Sequence, residues 1–263
     1  MRTEASVDSR LAFPDEATLV ANLVDLSRHA DSIRRYLAAL DAKHFVHPNG
    51  NSAPLDVALS PPQAALLAWL AQRCPVPLSV EAGFGMGTSA SVILGARGAT
   101  GKPFEHLIFD PFPKRGVLVQ SYLEAEFGDR VRRCHERSET GLGRLLSERG
   151  QKCVGLAFID GGHLFETVMT DFRLADLLCC DGGYIVFDDA LLPAIETVIN
   201  YVRCNRPDYA LAHLAAPNTT VLKKIAPDAR EWSSFVPFPV AQRENWTNPH
   251  APARSRWFRR FGR

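Results

Sequence analysis

Leu156-Ala157-Phe158-Ile159-Asp160-Gly161-Gly162-His163 and, further on, Gly182-Gly183-Tyr184-Ile185-Val186-Phe187-Asp188-Asp189 decide the fold. Each contains a short apolar run that ends in acid. Apolar runs of this length bounded by turn residues read as buried parallel strands. In an open α/β sheet, ligands bind outside the carboxyl ends of such strands. Asp160, Asp188 and Asp189 would therefore share the ligand edge, where carboxylates call for something positive.

Working outward, the same strand, turn and helix pattern recurs upstream. Leu78-Ser79-Val80 leads into Glu81-Ala82-Gly83-Phe84-Gly85-Met86-Gly87-Thr88-Ser89 and then an Ala-rich helical segment over 90–96. Glycines there let backbone approach a ligand, and the helix start offers free N–H groups. The spacing is G-x-G-x-G, one residue short of the dinucleotide fingerprint, which points away from NAD. A second strand, His106 to Phe109, ends at Asp110-Pro111, an acid placed to accept from ribose hydroxyls. Glu136-Arg137-Ser138 follows a further strand at 131–135, near the base of any bound nucleoside. Beyond Asp189, the spacing predicts a helix over 193–204 and an antiparallel pair, 209–214 and 219–225, turning at Pro217-Asn218. Strands alternating with helices and closing in a hairpin describe a doubly wound α/β sheet.

The flanks divide the chain into three. Residues 1–58 read as a helical cap, amphipathic over 18–42 with a break near His29, followed by a loop over 44–59 that could serve as a lid. Ser60-Pro61-Pro62 starts the next helix. Residues 59–226 form the ligand-binding domain. Residues 227–263 form a tail whose end, Arg254 to Arg263, interleaves Arg with Trp and Phe. The amphipathic N-terminal helix could pack against a second subunit as readily as over its own site, so a homodimer is possible.

Lys plus Arg number 30 against 29 for Asp plus Glu, a balance that gives no reason to expect a nucleic-acid partner. No apolar run reaches the ~18 residues of a membrane span, and the acidic, polar start lacks an export signal, so a cytoplasmic protein with a small-molecule substrate is expected. The 6 cysteines are scattered without a C-x-x-C pair and read as reduced.

Taken together, the motifs at Glu81 to Ser89, Asp110-Pro111-Phe112, Phe158 to His163 and Gly182 to Asp189 resemble class I S-adenosylmethionine-dependent methyltransferases. The small bacterial O-methyltransferase-like group, including macrocin O-methyltransferase and cephalosporin hydroxylase-like proteins, is the most similar. The resemblance implies a Rossmann-like, seven-stranded sheet, mostly parallel. It implies S-adenosylmethionine held by Glu81, Gly83, Phe84, Gly85, Gly87, Thr88, Ser89, Asp110, Pro111, Glu136, Ser138 and Asp160. It also implies Mg²⁺ held by Asp160, Asp188 and Asp189, at positions matching the metal site of catechol O-methyltransferase. His163 falls where that enzyme has its lysine base, so Asp160 and His163 are the candidate catalytic pair. Hard oxygen ligands suit Mg²⁺, and an imidazole titrating near neutrality can take a hydroxyl proton. Other roles stay open: Asp160 could orient the cofactor's amino group, Asp189 could cap a helix, and His163 could merely start one. The activity expected is metal-assisted O-methylation. A metal-free methyltransferase acting on an amine, or a non-catalytic cofactor-binding module, is the alternative.

Overall fold

A computed structural model describes residues 11–241, and the basic aromatic end of the tail lies outside them. Helices α1 (Glu16–Ser27) and α2 (Asp31–Ala42) lead to a hairpin, β1 (His44–Val46) and β2 (Ser52–Pro54). Then come α3 (Pro61–Gln72), β3 (Leu78–Ala82), α4 (Thr88–Gly98), β4 (Glu105–Phe109), α5 (Val117–Phe127), β5 (Val131–Cys134), α6 (Ser138–Arg149) and β6 (Val154–Ile159). The chain continues through α7 (Phe165–Leu178), β7 (Cys179–Phe187), α8 (Pro193–Asn205), β8 (Tyr209–Ala216) and β9 (Thr219–Lys224).

The main sheet has seven strands in the order β5-β4-β3-β6-β7-β9-β8. Pairing is parallel through β7 and antiparallel at β9. Strand direction explains the apolar runs. Along β6, Ala157 and Ile159 face the core under α6, α7 and α8, while Leu156 and Phe158 face the core under α1, α3 and α4. Both faces are covered, so no polar alternation survives.

The helical cap breaks where expected, with α1 and α2 separated at 28–30. Its apolar residues Leu19, Leu23, Ile33 and Tyr36 pack into the core formed with α3 and α4, and Tyr36 Oη donates to the Leu59 carbonyl at 2.8 Å. Two expectations need correction. Residues 44–59 contain the β1–β2 hairpin, because the Asn49-Gly50 turn lets His44 to Val46 pair with Ser52 to Pro54. Strand β3 runs on through Glu81 and Ala82, both buried. Helix α7 ends at Leu178, so Asp181-Gly182-Gly183 lies inside β7, where pairing with β6 jumps from Cys179 to Tyr184. Among the described residues, no helix is long and apolar enough to cross a membrane, and the six cysteines are unpaired thiols.

The first part of the tail packs on α8. Asn205 exchanges hydrogen bonds with the backbone of Val236, 2.9 and 2.7 Å, and the Tyr201 and Phe238 rings meet edge to face. Beneath that contact lies a buried ionic cluster. Asp176 of α7 accepts from Arg206 (2.7 and 2.8 Å), Tyr209 (2.7 Å) and Lys224 (3.1 Å), tying α7, the end of α8 and the closing hairpin together. Burial would raise the Asp176 pKa, but these donors hold it down to about 2. A carboxylate depressed on folding stabilises above its unfolded pKa of ~3.9, and that stabilisation is lost as pH falls. Chemical denaturation should show the Asp176 contribution disappearing between about pH 4 and pH 2. At neutral pH, Asp176→Ala should cost ~3–5 kcal/mol, since it strands buried cations.

Candidate active site

The parallel strands end flush. Ala82 pairs with both Phe109 and Ile159, Phe109 with Cys134, and Ile159 with Phe187. One residue further, backbone bonds continue the row: Gly83 N–H donates to Phe109 O at 2.9 Å and Asp110 to Cys134 O at 3.1 Å. Likewise, Asp160 N–H donates to Ala82 O at 2.9 Å and Asp188 to Ile159 O at 3.1 Å. Four sequence-separated motifs thus emerge side by side. Above them is a cavity of about 500 Å³, whose walls include Gly83, Gly85, Asp110, Ser138, Asp160 and His163, with Val57 reaching in from the segment after the hairpin.

Gly83 forms the floor. Its φ is +89°, and a Cβ there would stand 2.1 Å from the Asp160 carbonyl oxygen, so only glycine fits between β3 and β6. Gly85, also at positive φ, is different: a Cβ there meets nothing within 4 Å. Asp110 is buried and holds this turn, accepting from the N–H of Phe84 (2.8 Å) and Gly85 (3.3 Å) and, on its other oxygen, from Phe112 (2.7 Å). Arg133 pairs with it at 3.3 Å and lies over the Phe84 ring. The same guanidinium donates to the carbonyls of Phe112 and Arg115, both at 2.7 Å, so it also folds the 112–115 loop against the cavity.

Of the remaining expected cofactor residues, Pro111 and Ser138 line the cavity. Glu81 and Ser89 do not; they face each other in the interior at the junction of β3 and α4. Ser89 donates to one carboxylate oxygen of Glu81, and His106 Nε2 lies 2.9 Å from the other. Burial pushes the Glu81 pKa up. Glu81 therefore braces the glycine turn from below. Phe84 packs beneath Arg133, Gly87 closes the turn to Phe84 O at 2.7 Å, and Thr88 Oγ1 lies 3.5 Å from Leu59 N. The Glu136 carboxylate turns to Arg144. Arg133 and His106 were not singled out from sequence. Each is a basic residue on a strand beside a motif acid, a signal too common to stand out.

The three acids that first marked the edge part company. His163 Nε2 lies 3.3 Å from Asp189 Oδ2 and 3.8 Å from Asp160 Oδ1. Asp160, His163 and Asp189 each bring a ligand atom within 4.8 Å of the others. Asp188 turns toward the wall, accepting from Gln63 Nε2 at 2.7 Å and Thr219 Oγ1 at 3.3 Å. Gln63 in turn accepts from Ser60 N–H at the start of α3, 2.9 Å. Asp189 is presented by backbone strain, with φ +51°. The Asn218 side chain donates to its carboxylate at 2.6 Å and accepts from Leu191 N–H at 3.0 Å, while Asn218 O accepts from Ala190 at 2.9 Å.

Charge follows geometry. The neighbouring carboxylates of Asp160 and Asp189 raise the His163 pKa against burial, favouring imidazolium. Burial raises Asp160, and His163 partly offsets it. Burial, with Asp160 close by, pushes Asp188 up to about 7. The edge thus gathers carboxylates around His163, with Arg115 and Arg137 on the same cavity walls.

A glycine floor, an acid after the second sheet strand and an acidic centre after the fourth, on this strand order, form the arrangement that the sequence resemblance to class I S-adenosylmethionine-dependent methyltransferases implies. Comparison with known proteins points to the same fold. Residues 80–190 match a family model described as a methyltransferase domain. No curated protein sequence matches the chain. Among solved structures, a SAH-bound methyltransferase from Podospora anserina is similar at 14% identity and TM-score 0.56, covering 82% of this chain and 98% of its own. An O-methyltransferase from Bacillus cereus in complex with SAH is similar at 15% and 0.54, covering 83% and 94%. A protein from Corynebacterium glutamicum is similar at 17% and 0.55, covering 84% and 95%.

The space above Gly85 is open, so Gly85→Arg should fold and fill the cavity, with the side chain at φ +51° costing ~1–2 kcal/mol of stability. Titration calorimetry with S-adenosylhomocysteine should show wild-type binding and none in the variant.

Proposed function

We propose that the protein methylates a hydroxyl of a small organic acceptor, using S-adenosylmethionine and assisted by a divalent ion. The observation that carries this reading is the convergence of His163, Asp160 and Asp189 over the glycine floor. An O-methyltransferase needs a base for the hydroxyl proton beside the place where a cationic sulfonium would lie. The exposed apolar side chains Val57, Phe112 and Leu164 on the cavity walls suit an organic acceptor. The description of the Bacillus cereus neighbour as an O-methyltransferase also supports oxygen as the nucleophile.

In this mechanism His163 Nε2 takes the acceptor proton. S-adenosylmethionine, held along the glycine floor by Gly83, Gly85 and Asp110, would supply the methyl group to that oxygen from its sulfonium. Asp160 and Asp189 stabilise the imidazolium that forms, and their negative field favours the sulfonium in the ground state. The protein contributes mainly positioning, general-base catalysis and electrostatics.

Two carboxylates converging on one point fit a hard divalent cation such as Mg²⁺. Asp160 and Asp189 would hold it, with Asp188 behind them on Gln63. When bound, such an ion supplies charge that lowers the pKa of a nearby hydroxyl. The reading keeps His163 as base. Were its nitrogen a third ligand, the mixed donor set would favour Mn²⁺ or Zn²⁺ over Mg²⁺.

A panel of hydroxylated acceptors with methyl-labelled cofactor should yield methyl ethers. On the best acceptor, His163→Gln should lower kcat by ~10²–10⁴-fold with S-adenosylhomocysteine affinity nearly unchanged; full activity in that variant would remove the base assignment. Calorimetry should show Mg²⁺ binding to wild type and not to Asp189→Ala, and turnover indifferent to EDTA would remove the ion.

A further inference from the structure

Behind the cavity wall lies a carboxylate that the mechanism does not use. Asp171, on α7, is 0% exposed. One of its oxygens accepts from Ser138 Oγ at 3.0 Å, and the other, Oδ1, has no hydrogen-bond partner. Leaving a buried acceptor unsatisfied costs ~1–3 kcal/mol, more for a charged group. Such a group in a folded protein calls for an explanation. Replacing it with leucine would remove that cost, so fold stability does not account for an acid here.

The partner of Asp171 supplies an account. Ser138 is the first residue of α6 and lines the cavity. A serine hydroxyl has one proton and two lone pairs, and it turns to suit its neighbours. The hydroxyl lies 3.0 Å from Asp171 and 3.5 Å from a Glu139 carboxylate oxygen; with Asp171 ionised its proton is committed to the shorter contact, and Ser138 Oγ can then only accept from the cavity. Burial raises the Asp171 pKa to about 6, which still leaves the carboxylate ionised at neutral pH. Glu139, the next residue, places a second acceptor on the same wall. The backbone N–H groups of Ser138 and Glu139 lie in the first turn of α6, where helix geometry gives them no intrahelical partner. The wall therefore offers an acceptor beside donors.

We infer that Asp171 is a specificity-setting positioning residue, fixing the Ser138 hydroxyl as an acceptor so that the site reads the amino group of a 6-aminopurine and rejects the 6-oxo form. This rests on the assigned cofactor and on its base lying at the start of α6. Adenine presents an amino donor beside a ring-nitrogen acceptor. Hypoxanthine presents a carbonyl acceptor beside an N–H donor, and would set its oxygen against the Ser138 lone pairs. A site built to hydrogen-bond one group discriminates strongly against an analogue that leaves its buried polar atoms unpaired. Without Asp171 the hydroxyl would be free to rotate and donate, and the distinction would fade.

The test compares binding of S-adenosylhomocysteine with that of S-inosylhomocysteine, its 6-oxo analogue, by titration calorimetry. Wild type should prefer the amino form by ~100-fold or more, as unpaired buried polar groups imply. Ser138→Ala and Asp171→Leu should each reduce that ratio to below ~10-fold, chiefly by improving the relative binding of the 6-oxo analogue. A purely structural role for Asp171 would weaken both ligands together and leave the ratio intact. Should Asp171→Leu fail to fold, Asp171→Asn decides: its amide can donate to Ser138 Oγ and free the hydroxyl proton, so the ratio should fall there as well. A wild-type ratio near one, or a ratio preserved in the folded variants, overturns the inference while leaving the cofactor assignment standing. Wild type that binds neither ligand overturns both.

Discussion

The site depends on one constraint, the parallel register that brings five strands to a common carboxyl edge. Ala82 is aligned with Phe109 and Ile159, and Ile159 with Phe187. The register irregularities in these pairs fall at the opposite end, between Leu78 and Ser79 and between Val154 and Leu156. The excursion at Asp181 to Gly183 is likewise at the start of β7. Slack in strand length is therefore taken up away from the ligand edge. A one-residue slip of β6 would turn its side chains to the opposite faces and carry Asp160 out of line.

Upon that edge the electrostatics are built in two layers. Below, Glu81, His106, Ser89, Asp110 and Arg133 bond to one another and to backbone, with Arg133 Nε left unpartnered, and they hold the glycine turn. Above, Asp160 and Asp189 face the cavity with only His163 between them. The lower layer is buried; in the upper layer the carboxylates share the cavity with Arg115 and Arg137. Paired carboxylates beside the cavity suit a cationic cofactor, and keeping them there requires devices that hold them in place. The left-handed backbone at Asp189, pinned by Asn218, is one, and the Gln63 clasp on Asp188 is another.

Much of this was legible in the sequence because strand ends were marked chemically. Apolar runs terminating in Asp110, Asp160 and Asp188 gave strand position and direction together, and G-x-G-x-G after Val80 gave the floor. Side-chain direction was less legible. Glu81 and Ser89 belong to the glycine motif, yet they point into the interior, because β3 runs two residues further than its apolar stretch suggested. Asp188 and Asp189 look equivalent in sequence, and a positive φ at Asp189 separates them. The partners that decide this, Gln63 and Asn218, lie far away in sequence within segments read as a helix start and a hairpin turn. The hairpin at 44–54 was hidden by loop-like composition, and Asp171 by its place on the buried face of an ordinary amphipathic helix.

The most direct measurement is a crystal structure of the protein with S-adenosylhomocysteine. The account predicts the ligand along the flush edge, with its ribose at Asp110, its base at Ser138 and its sulfur facing Asp160 and His163. A ligand bound elsewhere, or lying across the edge with its sulfur remote from His163, would contradict it.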